Sequence, residues 1–143
     1  MDKIVDILLV EDNSGDRKLT EIAFKKAKIA NTLYMVEDGE EALDFLYKRN
    51  QHKDVPTPDL VLLDLNLPKI SGIEILEICK TDSGLSTIPI IVLTTSDAES
   101  DILKSYKLHA NSYCTKPVDF SKFMKVVRGI ETFWLQLVKL PPK

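Results

Sequence analysis

Apolar runs of strand length alternate along the chain with stretches whose apolar positions recur every three or four residues. The runs are Asp6 to Val10, Thr32 to Val36, Leu60-Val61-Leu62-Leu63, Ile90-Ile91-Val92-Leu93 (led by Pro89 and closed by Thr94), and Ser112-Tyr113-Cys114-Thr115. Helical spacing predicts helices from Asp16 to Lys28, Gly39 to Tyr47, Ile73 to Cys79 and Ile102 to Leu108, and a long last one from Phe120 to about Val138. In the first, Leu19, Ile22, Ala23 and Ala27 share a face; in the second, Ala42, Leu43 and Leu46 point inward. Leu67-Pro68 and Ser71-Gly72 make a turn before the third helix, and the polar stretch from Lys48 to Asp59, with two prolines, reads as an exposed loop. Five strand-helix pairs of this kind wind into a parallel sheet. Right-handed crossovers then leave a three-layer sandwich with helices on both faces.

The last helix carries more apolar surface than one buried face requires. Phe120, Phe123, Val127, Ile130, Trp134 and Leu137 form a stripe expected in the core, leaving Met124, Val126, Phe133, Leu135 and Leu140 on other faces. That excess predicts a partner-binding or homodimer surface.

Composition narrows the function classes. With 143 residues and 44% apolar content the chain fits one domain, burying roughly 70% of its unfolded surface. A net charge of −3 without a Lys/Arg-dense stripe argues against nucleic acid. No apolar stretch reaches the ~20 residues needed to span a bilayer. The amino terminus, Met1-Asp2-Lys3-Ile4, is expected to enter a strand at once without a secretory segment, so the chain is expected to be cytoplasmic. Cys79 and Cys114 read as reduced core thiols, and His52 and His109 as isolated loop or surface residues.

The chemistry lies at strand ends. Glu11-Asp12, Asp64 and Lys116 each follow one of these runs, so a parallel sheet would bring four charges to one edge, where open α/β sheets place ligands. Glu11-Asp12 alone could be a solvated pair before a helix cap at Asn13 or Ser14. Asp64 ends a run apolar enough to be a buried central strand, where an unpaired carboxylate is costly. Three crowded carboxylates resist ionising together unless a cation shares the site, which implies a hard divalent ion such as Mg²⁺.

With these residues in view, the chain resembles the receiver domains of two-component response regulators. The resemblance is carried by Glu11-Asp12, by Asp64-Leu65-Asn66-Leu67-Pro68 with Gly72 eight places after the aspartate, by Thr94, by Tyr113 and by Lys116-Pro117. It implies the flavodoxin-like (βα)5 fold with strand order 2-1-3-4-5, an example the general rule for such sheets itself uses. It also implies one receiver domain over residues 1–143, with a core of about 5–128 and a last helix extended to about 138, standing alone because only Pro141-Pro142-Lys143 follow that helix.

By the same resemblance Asp64 is the phosphoacceptor for a sensor histidine kinase. Mg²⁺ is held by Asp12, Asp64 and the backbone carbonyl of Asn66, with Glu11 through water. Lys116 and Thr94 contact the phosphoryl group, and Lys116-Pro117 is expected to be cis. Thr94 and Tyr113 form a switch that alters the face made by the fourth helix, the fifth strand and the last helix, toward a downstream protein the sequence does not name. Glu11 stands where many relatives have Asp, Thr95 where a small residue is frequent, and Asn66 and Ser96 where the lifetime of the phosphoryl group is influenced. The long loop before Leu60 and Phe133-Trp134-Leu135 are similar to a subgroup serving phytochrome-type kinases.

Two other functions compete. A Mg²⁺-dependent phosphatase of the haloacid dehalogenase type also uses a strand-end aspartate, but wants a second aspartate two residues on, where this chain has Asn66. A binding module that works without phosphorylation would not need all five motifs.

Overall fold

The computed structural model describes residues 4–143, so the expectation for Met1 to Lys3 lies outside the described residues. Five strands, β1 (Val5–Val10), β2 (Asn31–Val36), β3 (Leu60–Leu63), β4 (Ile90–Thr94) and β5 (Ser112–Thr115), form one sheet in the order β2-β1-β3-β4-β5. Every pair is parallel, with Val10 opposite Leu63 and Thr94 opposite Thr115. The expected flavodoxin-like topology is the observed one.

Side-chain alternation along the strands splits the core into two layers. Leu8, Val10, Val61, Leu63, Ile90 and Val92 face α2 (Gly39–Leu46) and α3 (Gly72–Thr81). Ile7, Leu9, Leu60, Leu62, Ile91 and Leu93 face α1 (Ser14–Lys25) and α5 (Phe120–Glu131). Because β3 and β4 are covered on both sides, their residues are uniformly buried, which is why they read as continuous apolar runs. The fourth helix, α4 (Glu99–Lys107), is held more thinly: its one buried residue is Ser105, and Leu103 and Tyr106 are exposed.

Helix starts follow local capping chemistry. Asn13, Asp38, Ser71 and Asp119 each accept a backbone N–H three residues on, at 2.8–3.2 Å. Both ends of α1 and the start of α4, at Glu99 instead of Ile102, differ from expectation. α1 starts two residues earlier because Asn13 caps it, and ends at Lys25 because Lys26 and Ala27 donate to Ala23 and Phe24, three residues back. The loop from Lys48 to Asp59 contains a 3-10 turn at Asn50–His52, where His52 packs on Phe45 at 5.2 Å between ring centres.

The stripe expected for the last helix is corrected. α5 passes into a π-helical segment, Thr132–Leu137, whose wider turn delays the inward phase. The step from buried Ile130 to the next buried apolar residue is therefore five, to Leu135. Met124 and Leu135 are core, Trp134 is partly buried, and Phe120 and Leu137 stand exposed. Among the described residues no helix is long and apolar enough to cross a membrane.

Candidate functional site

Backbone pairing delivers the charged residues to one edge. Glu11 N–H donates to Val36 O at 3.0 Å, Asp64 N–H to Val10 O at 3.1 Å, and Lys116 N–H to Thr94 O at 2.6 Å, so the residues beyond β1, β3 and β5 are stitched to the strand beside them. Their side chains then meet. The Lys116 ammonium donates to Glu11 Oε1, to Asp64 Oδ2 at 3.0 Å and to Asp16 Oδ2 at 3.0 Å. Lys116, Glu11 and Asp64 are all buried. Asp12 is exposed, yet one carboxylate oxygen from each of Glu11, Asp12 and Asp64 lies within 4.8 Å of the other two.

Burial and the charge balance act together on protonation. Burial, aided by the neighbouring Asp64 charge, pushes the Glu11 carboxyl up to about 7 against the pull of Lys116. Burial alone would also raise Asp64, but the Lys116 charge, the Asn66 amide and the nearby Thr94 outweigh it and hold the carboxyl below its ordinary value. For Lys116, burial works against the charged form, and Glu11, Asp64 and Asp16 more than reverse it, raising its pKa. The lysine is thus a fixed cation and Asp64 an ionised carboxylate, a state in which Asp64 can act as a nucleophile.

Four acidic groups, Glu11, Asp12, Asp16 and Asp64, against one ammonium leave negative charge uncompensated. The donor set is hard oxygen throughout, which suits a divalent cation of the Mg²⁺, Ca²⁺ or Mn²⁺ kind. The residues present therefore fit such an ion.

Thr94 ends β4 fully buried, and among the described residues its hydroxyl has no hydrogen-bond partner of good geometry. A buried unpaired donor beside a carboxylate is costly unless something arrives to accept from it. Asn66 is exposed; its N–H donates to Asp64 Oδ1 at 3.1 Å. Tyr113 packs partly buried against the core layer under α2 and α3, and its hydroxyl donates to Ser96 O at 2.9 Å, tying β5 to the turn before α4. Thr95 is exposed and Ser96 bonds Asp101 Oδ2 at 2.6 Å.

Gly72 and a trans peptide complete the frame. A Cβ on Gly72 would sit 2.3 Å from Asp64 O and 2.5 Å from Leu65 Cα, so only glycine lets α3 begin this close to the acceptor's backbone. No peptide bond among the described residues is cis. The expectation for Lys116-Pro117 is corrected: the ammonium reaches the site from a trans bond because Lys116 N–H anchors on Thr94 O. The sequence reading assembled every residue here except Asp16, which looks like an ordinary acidic residue in a first helical turn.

Comparison with known proteins agrees with this geometry. A family model described as "Response regulator receiver domain" matches residues 7–128. The chain belongs to the response regulator receiver family. Response regulator Rcp1 of Synechocystis sp. is 44% identical over 135 residues, 94% of this chain and 92% of its own. The crystal structure of the Mn²⁺-bound form of Rcp1 matches with a TM-score of 0.94 at 43% identity, covering 96% of this chain and 99% of that one. That of the phosphorylated cyanobacterial phytochrome response regulator RcpA matches with a TM-score of 0.95 at 42% identity, over 98% and 100%. The chain is accordingly a receiver of two-component signalling, whose function is to take up a phosphoryl group from a sensor kinase.

Proposed function

We propose that Asp64 is the phosphoacceptor of this receiver, and that Glu11, Asp12, Asn66, Thr94 and Lys116 serve the transfer. The observation that carries this reading is the convergence of Asp64, Glu11 and Lys116 in one buried, hydrogen-bonded group beside exposed Asp12. An Asp64 oxygen bonds to the phosphorus of a phosphohistidine while the phosphorus–nitrogen bond breaks, and the imidazole leaves with a proton from water. Such transfer depends on in-line placement and on charge relief at the phosphoryl oxygens. Lys116 supplies one positive charge as a compact ammonium, and the orphaned Thr94 hydroxyl supplies a donor. Mg²⁺, held by Asp12, Asp64 and the Asn66 carbonyl with Glu11 through water, would neutralise the remaining charge.

The donor we infer is a phytochrome-type sensor histidine kinase; the support is the 42% identity with a protein described as a phytochrome response regulator. The phosphoryl group adds a charge of roughly −1.5 to −2. Thr94 moving toward it loosens the contact between Tyr113 and Ser96 and changes the face of α4, β5 and α5, where α4 is thinly anchored. That face continues into an apolar groove lined by Cys114, Val126, Ile130, Phe133, Trp134 and Val138, which we assign to a downstream partner or a second copy. A monomeric mass in both phosphorylation states would rule out the second copy.

The test is to incubate the protein with Mg²⁺ and acetyl phosphate and weigh it intact. One added phosphoryl group, acid-stable and base-labile and missing in Asp64→Asn, supports the acceptor. No gain favours a phosphorylation-independent module, and fast turnover of p-nitrophenyl phosphate favours a phosphatase.

A further inference from the structure

Lys116 has three ammonium protons, and three carboxylates take them: Glu11, Asp64 and Asp16. The ammonium therefore has no proton left for a phosphoryl oxygen until one of these contacts opens. Without metal, Glu11 and Asp64 are poor candidates to yield, because breaking a buried pair strands a charge away from water. Asp16 is the better one. Its side chain is 27% exposed, and it sits in the first turn of α1, where water and the helix N-terminus take over part of its charge.

Among the described residues no second cation pairs with that charge. Lys116 is the ion-pair partner of Asp16. The adjacent Arg17 turns elsewhere: Nη1 donates to Glu11 O at 2.9 Å, and Nη2 lies 3.1 Å from Glu37 Oε1. When Lys116 swings toward a phosphoryl group, a negative charge is left at the rim of the site facing an anionic donor.

We propose that Asp16 is a positioning residue that tethers Lys116 before transfer and, by competing for its ammonium and repelling anionic donors, slows uptake of the phosphoryl group at Asp64. This rests on Asp64 being the acceptor. Ion pairs with one partner open to water contribute modestly, so releasing the tether is worth a rate gain of about two- to fivefold.

The experiment follows phosphorylation of the full chain by acetyl phosphate in Mg²⁺, by intact mass against time, for wild type, Asp16→Asn, Asp16→Ser and Asp16→Glu. Asp16→Asn and Asp16→Ser are expected to react faster at low salt, with the gain shrinking toward about 1 M salt as the charge is screened. Asp16→Glu is expected to stay near the wild-type rate. In metal-free protein, the Lys116 ammonium protons, seen by ¹⁵N NMR, should exchange with water faster in Asp16→Asn. Equal or slower phosphorylation of both neutral variants beside an active wild type, or unchanged ammonium exchange, overturns the tether and leaves the acceptor intact. A wild type that takes up no phosphoryl group overturns both.

Discussion

Glu11 shares a single buried ammonium with Asp64 and Asp16, and its burial, with the Asp64 charge beside it, is written in its protonation. Its carboxyl rises from 4.5 to about 7, so between those values the folded chain binds more protons than the unfolded one. Stability from this group therefore falls as pH rises through that window. Glu11→Gln should remove the slope and, without metal, leave the protein more stable at pH 8 by about 1–3 kcal/mol. Urea unfolding at pH 5 and pH 8 checks this, and a less stable variant at pH 8 would mean the Lys116 pair outweighs the burial cost. Gly72→Ala should cost about 2–3 kcal/mol, because its Cβ would press on backbone atoms of Asp64 and Leu65 that have nowhere to retreat. An unchanged denaturation midpoint would show that this turn can move. Glu11, Asp12, Asp64, Thr94 and Lys116 were legible in the sequence because each terminates an apolar run. Asp16 was not, because its role depends on a lysine one hundred residues away.

Helix α5 and its π segment mark the limit of reading elements by period. A strict 3.6-residue repeat put Trp134 and Leu137 in the core, but the π turn shifts the phase and buries Leu135 instead. Nothing in Thr132 to Leu137 announces that change, since the segment holds neither proline nor glycine. Leu135→Ala should accordingly cost about 2–5 kcal/mol. Leu137→Ala should stay within about 0.5 kcal/mol, as befits a side chain 72% exposed. Equilibrium denaturation of both variants checks the pair, and the reverse order of costs would restore the unbroken α-helical phase. The strands were easier to read, because burial on both faces leaves a run such as Leu60–Leu63 no polar position.

At the scale of the whole molecule, the sheet holds a charge-strained edge that folding alone does not relieve. A divalent ion that binds only the folded protein stabilises it by mass action, by about 2.7 kcal/mol at one hundred times its dissociation constant. Mg²⁺ should therefore raise the melting temperature by several degrees, and Asp12→Ala should abolish most of that rise while leaving the metal-free melt nearly unchanged, since Asp12 is exposed. An equal rise in the variant would place the ion elsewhere. The central claim, that Asp64 receives phosphorus beside a metal and under Lys116, is tested most directly by a crystal structure with Mg²⁺ and beryllofluoride. Beryllium is expected on an Asp64 oxygen, with fluorines within hydrogen-bond reach of Lys116 Nζ and Thr94 Oγ1. Beryllofluoride on another residue, or an Asp64 carboxylate turned away from both metal and lysine, would contradict it.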